Sequence, residues 1–219
     1  MREIFESELR QLGTDLVTMS RQVEVAIHNA GTALLTGDVP LAESVIIADG
    51  AIDALERDLD ERCVLMIAQQ APVATDLRVV VSALRMSATL ERMGDLARHV
   101  AEVARGRYPR SAVPQALSGT FAEMHDAATR VARRTTTVLQ TRDLETAQSI
   151  ERDDDLLDRL HEDTFTALLG GNWRGTPQET VDVTLLGRYY ERFGDHAVSV
   201  ARRVTYLVTG DFSEDLRVR

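Results

Sequence analysis

Apolar residues recur along almost the whole chain in mixed steps of three and four, the spacing that keeps side chains on one face of an α-helix. In the first segment they fall at Leu9, Leu12, Leu16, Met19, Val23, Ala26, Ile27, Ala30 and Leu34, which predicts a helix over 2–35. Gly37 stops it. Asp38 is placed to cap the next helix, with Pro40 in the first turn, where a missing N–H costs nothing. That second helix runs to about residue 70, and Pro72 opens a third that ends near 107. Gly106-Arg107-Tyr108-Pro109-Arg110-Ser111 reads as a linker, because Gly and Pro cluster there. Beyond it the plan repeats. A helix is expected over 113–141, and another capped by Asp143 runs to about 169. The last opens at Thr176-Pro177-Gln178-Glu179, whose Thr and Glu three apart form a capping box, and runs to about 208. No segment alternates as a strand would. The expected fold is all-α: six helices in two tandem three-helix bundles, residues 1–108 and 112–212, with short loops that make sequential helices antiparallel. The tail from Gly210 is expected to be loose.

The two halves also share residues. At an offset of 105, residues 12–58 align with 117–163: Leu12 on Leu117, Met19 on Met124, Asp38 on Asp143, Ala42 on Ala147, Asp49 on Asp154 and Asp53 on Asp158. Further on, Glu91-Arg92-Met93-Gly94-Asp95 matches Glu191-Arg192-Phe193-Gly194-Asp195, now at an offset of 100. The chain is a tandem duplication whose second half has lost five residues between its middle and last helices.

What is duplicated is acidic. Asp49/Asp53, Glu91/Asp95, Asp154/Asp158 and Glu191/Asp195 are each pairs four apart, so each pair shares one helix face. Like charges at that spacing destabilise a helix by a few tenths of a kcal/mol. Facing helices would bring two pairs of each half into one oxygen-rich nest. Such a nest suits a hard cation, with Mg²⁺, Ca²⁺, Mn²⁺, Zn²⁺ or iron as candidates. The competing reading is that Arg92, Arg192 and neighbouring arginines neutralise the acids in surface ion pairs. Gly94 and Gly194, in mid-helix at about 1 kcal/mol relative to Ala, imply close approach by another helix or a ligand. His99 lies on the face of Glu91 and Asp95, as a ligand, a supporting donor or simply a half-buried polar residue; His196 points elsewhere. The chain contains no Glu-x-x-His of the di-iron bundles, no glycine-rich phosphate loop and no zinc spacing.

Composition narrows the function classes. The net charge of −10 argues against a nucleic-acid binder and permits cation binding or docking to a basic partner. Cys63 is the only cysteine, so no internal disulfide forms, which fits a reducing cytosol; its setting reads as a small buried hydrophobe. No basic-then-apolar signal sequence opens the chain, and no apolar run reaches the roughly 20 residues of a membrane helix.

The paired pentamers, with Gln70-Ala71-Pro72-Val73-Ala74-Thr75-Asp76-Leu77-Arg78 and the opening Phe5-Glu6-Ser7-Glu8-Leu9, resemble the PhoU family of bacterial phosphate-transport accessory regulators, over residues 1–212 and most closely its actinobacterial members. The resemblance implies two similar three-helix bundles in a cytoplasmic, often dimeric protein. It also implies metal held by Asp49, Asp53, Glu91 and Asp95 in the first half and by Asp154, Asp158, Glu191 and Asp195 in the second. The implied role is repression of the phosphate-starvation response, as a non-enzymatic link between the ATPase subunit of the phosphate ABC importer and a sensor histidine kinase. One departure stands out: the position four after the motif Asp, commonly Asn in the family, is His99 in one half and Ser199 in the other. Two rival readings remain, a helical-bundle metalloenzyme of phosphohydrolase type and a structural bundle without metal. The first requires a water-activating base beside the metal, and no residue stands out for that role.

Overall fold

The computed structural model describes residues 2–211 as six helices and one short 3₁₀ turn, with no strand among them. Helices α1 (Arg2–Thr36), α2 (Val39–Gln70) and α3 (Ala74–Arg107) form the first half. Helices α4 (Ser118–Thr141), α5 (Leu144–Leu169) and α6 (Pro177–Thr209) form the second, entered through the 3₁₀ turn Gln115–Leu117. The expected start of α4 near 113 is thus delayed: Pro114 ends an extended linker and only the turn after it leads into the helix. The remainder of the expected loose tail, 212–219, lies outside the described residues; Gly210 itself caps α6 in the left-handed region at φ 78°.

The caps are those the sequence encodes. Asp38 accepts from the Leu41 N–H at 3.0 Å, Asp143 from Thr146 at 2.8 Å, and Thr176 and Glu179 close their capping box. The exception is α3. Pro72 sits in the loop rather than the first turn, and Val73, in the cap position, gives no side-chain hydrogen bond.

The missing five residues have a local structural account. Helix α5 has 26 residues against 32 in α2, and α6 begins three residues closer to its pentamer than α3 does. The loop Gly170–Thr176 makes up four of these nine, being longer than the Ala71–Val73 connection. The deletion therefore shortens one end of the second bundle and leaves the pentamers in register.

In each half the three helices pack together, and the halves join along a seam of α1 and α3 against α4 and α6, leaving α2 and α5 outermost. The seam is apolar and fully buried around Met19, Leu90, Met93, Phe121, Met124, Tyr190 and Phe193. Ser20 and Thr136 hydrogen-bond across it at 3.0 Å, so a buried polar pair keeps register between α1 and α4. Helices α3 and α6 run antiparallel across a pseudo-twofold: Arg107 meets Asp182, and His99 lies 5.2 Å ring to ring from Tyr189. His99 therefore belongs to the seam, with its ring on Tyr189 and its Nε2 3.5 Å from Arg98. Cys63 is completely buried, and burial pushes its thiol up to about 11, so it behaves as the small hydrophobe expected. Among the described residues no helix is long and apolar enough to cross a membrane.

Candidate metal centre

The acidic pairs stand where α2 crosses α3 and where α5 crosses α6, and the mid-helix glycines are the reason they meet. A Cβ on Gly94 would lie 3.0 Å from Ile52 and 3.4 Å from Asp49 Oδ1. A Cβ on Gly194 would lie 2.2 Å from Asp154 Oδ1 and 3.0 Å from Leu157. The missing side chain lets the carboxylate of the outer helix lie directly over the backbone of the inner one. The close approach expected from the sequence is thus by another helix, and it carries an Asp in both halves.

From there the two halves diverge. In the first, Arg98 enters the cluster. Its guanidinium donates to Asp49 at 2.6 Å, to Asp95 at 2.7 Å and to Glu102 at 2.7 Å, and Arg92 adds a second contact to Asp95 at 2.9 Å. Burial alone would raise Asp95, but the hydrogen bond and charge of Arg98, with Arg92, hold it below the usual carboxylate range. Asp49 stays raised, because burial outweighs the same guanidinium and Asp53 and Asp95 add repulsion. Glu91 is raised too, first by burial and then by Asp95, despite Arg92. The reading in which arginines neutralise the acids describes much of this half.

In the second half the position of Arg98 belongs to Val198, which is buried. No guanidinium enters from α6 at that point. Asp154 Oδ1 and Glu191 Oε2 are buried without a hydrogen-bond partner. Burial, then Asp158, Asp195, Asp155 and Glu191, push Asp154 up to about 7. Asp158 is raised by burial and by Asp195, and Glu191 by burial and by Asp195, although Arg188 donates to Glu191 Oε1 at 2.5 Å. Asp195 stands at the exposed rim. The neighbouring Asp153 faces the other way, toward Arg134 at 2.5 Å and Arg130 at 3.6 Å on α4, so the run 153–155 is split between a structural ion pair and the cluster.

All four second-half acids thus come into one electrostatic neighbourhood, and the donor set is entirely oxygen, which fits a hard cation. Among the described residues no three His, Cys, Asp or Glu side chains are already drawn into a ready-made metal cage. Closing these carboxylates on one ion therefore requires side-chain rotation. The residue that separates the two halves, Arg98, is not among the sequence candidates. Extending the pentamer alignment by three positions sets Arg98 against Val198 and exposes the asymmetry.

The raised Asp154 has a consequence for pH. Its carboxyl prefers the proton in the folded chain more than in the unfolded one. The stabilisation is therefore complete below the unfolded value near 4 and is lost as pH rises toward about 7. After discounting for partial exposure this is about 1–2 kcal/mol. Cation-free protein is expected to melt at a higher temperature at pH 5 than at pH 7.5, and Asp154→Asn should flatten that slope. Parallel slopes for the two proteins would contradict the assignment.

The comparisons agree with this architecture. The family model described as PhoU domain matches twice, over residues 16–104 and 121–204. The chain is 42% identical over 215 residues to the phosphate-specific transport system accessory protein PhoU homolog 1 of Mycobacterium leprae (strain TN), covering 98% of this chain and 97% of that one. It is 43% identical over 212 residues to PhoU homolog 2 of Mycobacterium tuberculosis (strain ATCC 25618 / H37Rv), covering 97% and 100%. The crystal structure of PhoU from Pseudomonas aeruginosa superposes with a TM-score of 0.82 at 28% identity, covering 94% of this chain and 100% of that one. The PhoU of Streptococcus pneumoniae, at 21% identity and a TM-score of 0.84 over 96% and 100% of the two chains, shares the fold. With the motif matched in both halves and relatives aligned end to end, the chain belongs to the PhoU family.

Proposed function

We propose that this chain is an accessory regulator of phosphate transport that acts as a cation-binding adaptor and catalyses nothing. The relatives named as phosphate-specific transport accessory proteins support the first part. The observation that carries the second is the cluster over Gly194, where Asp154 and Glu191 each keep a buried oxygen unsatisfied. Asp154, Asp158, Glu191 and Asp195 would hold the ion. The first-half set of Asp49, Asp53, Glu91 and Asp95 is restrained by Arg98, an internal cation already in place. In this reading a bound ion neutralises the α5–α6 crossing and firms one outer face of the molecule. That face docks a cytoplasmic partner, either the ATPase subunit of the phosphate ABC importer or a sensor histidine kinase, with the protein acting as a homodimer.

The test is genetic. Deleting the gene together with any second copy should switch on phosphate-starvation genes in phosphate-rich medium, and the intact gene should silence them again. A version carrying Asp154→Asn and Glu191→Gln should accumulate normally yet fail to restore silence. Starvation genes that stay off in the deletion strain would overturn the regulatory reading. Full complementation by the double variant would overturn the role of the cation.

A further inference from the structure

Helices α1 and α2 frame a groove of about 570 Å³, and among the described residues no other helix contributes to its lining. Its walls are apolar: Val25 and Ala26 of α1, and Val45, Ala48, Ala51 and Ile52 of α2. Val25 is 58% exposed, and Ile47, next to Ala48 on α2, is 80% exposed. Arg21, Gln22 and Asn29 also line the α1 side. Among the described residues Arg21 is the one charged side chain in the lining, and it makes no ion pair. Gln22 Oε1 is buried without a hydrogen-bond partner.

The second half shows how the chain fills the matching place. At the offset of 105, Val25, Asn29 and Ala48 align with Arg130, Arg134 and Asp153. There Arg134 donates to Asp153 at 2.5 Å and to the Ser149 carbonyl at 2.8 Å, and Arg130 lies 3.6 Å from the same carboxylate. These side chains bridge α4 to α5. Ala51 aligns with Leu156, a larger residue packed against the core. In the first half the bridging groups are absent, and among the described residues the α1–α2 ion pair is Arg62–Asp15, nearer the start of α1. The first-half groove is the same seat between two helices with its internal filling removed. It leaves a buried amide oxygen unsatisfied, a costly state for a polar group.

We infer that this groove docks one amphipathic helix of a partner protein, with the helix's apolar face on Val25, Ala48 and Ala51 and a carboxylate at its edge paired with Arg21. Shape selects a helix. The α1 wall runs Thr18, Gln22, Val25, Asn29 and the α2 wall Ser44, Ala48, Ala51, in steps of three and four that make one ridge on each helix. The trough between two such ridges is where a third helix packs in a bundle. From Thr18 to Asn29 it is about 16 Å long, or about three turns of a docked helix. Helices recognised in this way present apolar anchors at three- and four-residue steps. Charge selects its edge: Arg21 takes an anion, and Gln22 Oε1 takes a side-chain donor. The polar edge of a helix supplies both, whereas a purely apolar ligand supplies neither. This goes beyond the regulatory reading and does not depend on it, because the groove uses none of the acids at the crossings.

The experiment is methyl-detected NMR titration of the full chain with a synthetic peptide of about 18 residues, long enough to form a helix. The peptide carries leucines at three- and four-residue steps on one face, alanine and glutamine elsewhere, and one glutamate at the edge of the leucine face. A second peptide has lysine in place of that glutamate. The glutamate peptide should shift the Val25, Val45 and Ile52 methyl resonances saturably, and the lysine peptide should bind about five- to tenfold more weakly. Asn29→Arg with Ala48→Asp, which builds the bridge found in the second half, should weaken binding by at least about tenfold. Ala51→Glu, at an exposed helix position, should also weaken it by placing a carboxylate in the wall of the groove. Absence of shifts at these methyls, equal affinity for the two peptides, or wild-type affinity in either folded variant overturns the inference. Groove resonances that move with protein concentration alone put a second copy of the chain in the groove and overturn it as well. Gene-expression assays do not enter this test, so its failure is distinct from failure of the regulatory role.

Discussion

Asp154→Asn combined with Glu191→Gln is expected to lower affinity for Mn²⁺ or Fe³⁺ by at least about a hundredfold, since each removes a charged oxygen ligand from the crossing where Arg188 pairs with Glu191 alone and, among the described residues, no guanidinium donates to Asp154 or Asp158. The matching first-half change, Asp49→Asn with Glu91→Gln, should leave binding at the second half unaltered. Equivalent halves would instead give each double variant about half the bound metal. Equivalence is what the matching pentamers imply, and Arg98 against Val198 is why it is not expected. Arg98→Ala should then create a second cation site by releasing Asp49 and Asp95. The second-half variant should also stabilise the cation-free chain at neutral pH, because two mutually repelling groups become neutral. Titration of cation into all three variants checks these results together. Equal losses from the two halves would contradict the asymmetry.

Arg107→Ala is expected to destabilise the fold by about 2–3 kcal/mol. Asp182 is 2% exposed, and Arg107 is its ion partner through two hydrogen bonds, with Gln178 adding one more at 3.0 Å. Removing one partner of a buried pair leaves the other unpaired, which is the expensive case. Asp182→Asn should cost less, because the freed Arg107 is about one-third exposed and reaches water. Chemical denaturation of the two variants decides the order. A larger loss in Asp182→Asn would mean that the pair does not matter through the buried charge.

Much of the fold was legible in the sequence because it is written in local signals. The three- and four-residue steps of α1, the caps at Asp38 and Asp143 and the box at Thr176 each appear where expected. The start of α4 was less legible, since apolar residues at Ala112 and Val113 are buried in the linker rather than on a helix. The acidic cluster was legible through repetition: Gly94 and Gly194 under Asp49 and Asp154 make one crossing used twice. What the pattern could not show is which way a long side chain turns. Arg98 follows the motif Asp by three residues and could as well have faced solvent; its contact with Asp49 depends on the packing of α2 on α3. His99 illustrates the same limit, since its place against Tyr189 is fixed by a helix from the other half.

The most direct measurement of the central claim is anomalous difference density at the manganese edge, in crystals grown with Mn²⁺ and without chelator. The account predicts a peak at the α5–α6 crossing, coordinated by carboxylates from among Asp154, Asp158, Glu191 and Asp195, with Arg98 still seated between Asp49 and Asp95. A peak at the α2–α3 crossing with none at α5–α6, or no peak at either in crystals that hold manganese elsewhere, would contradict it.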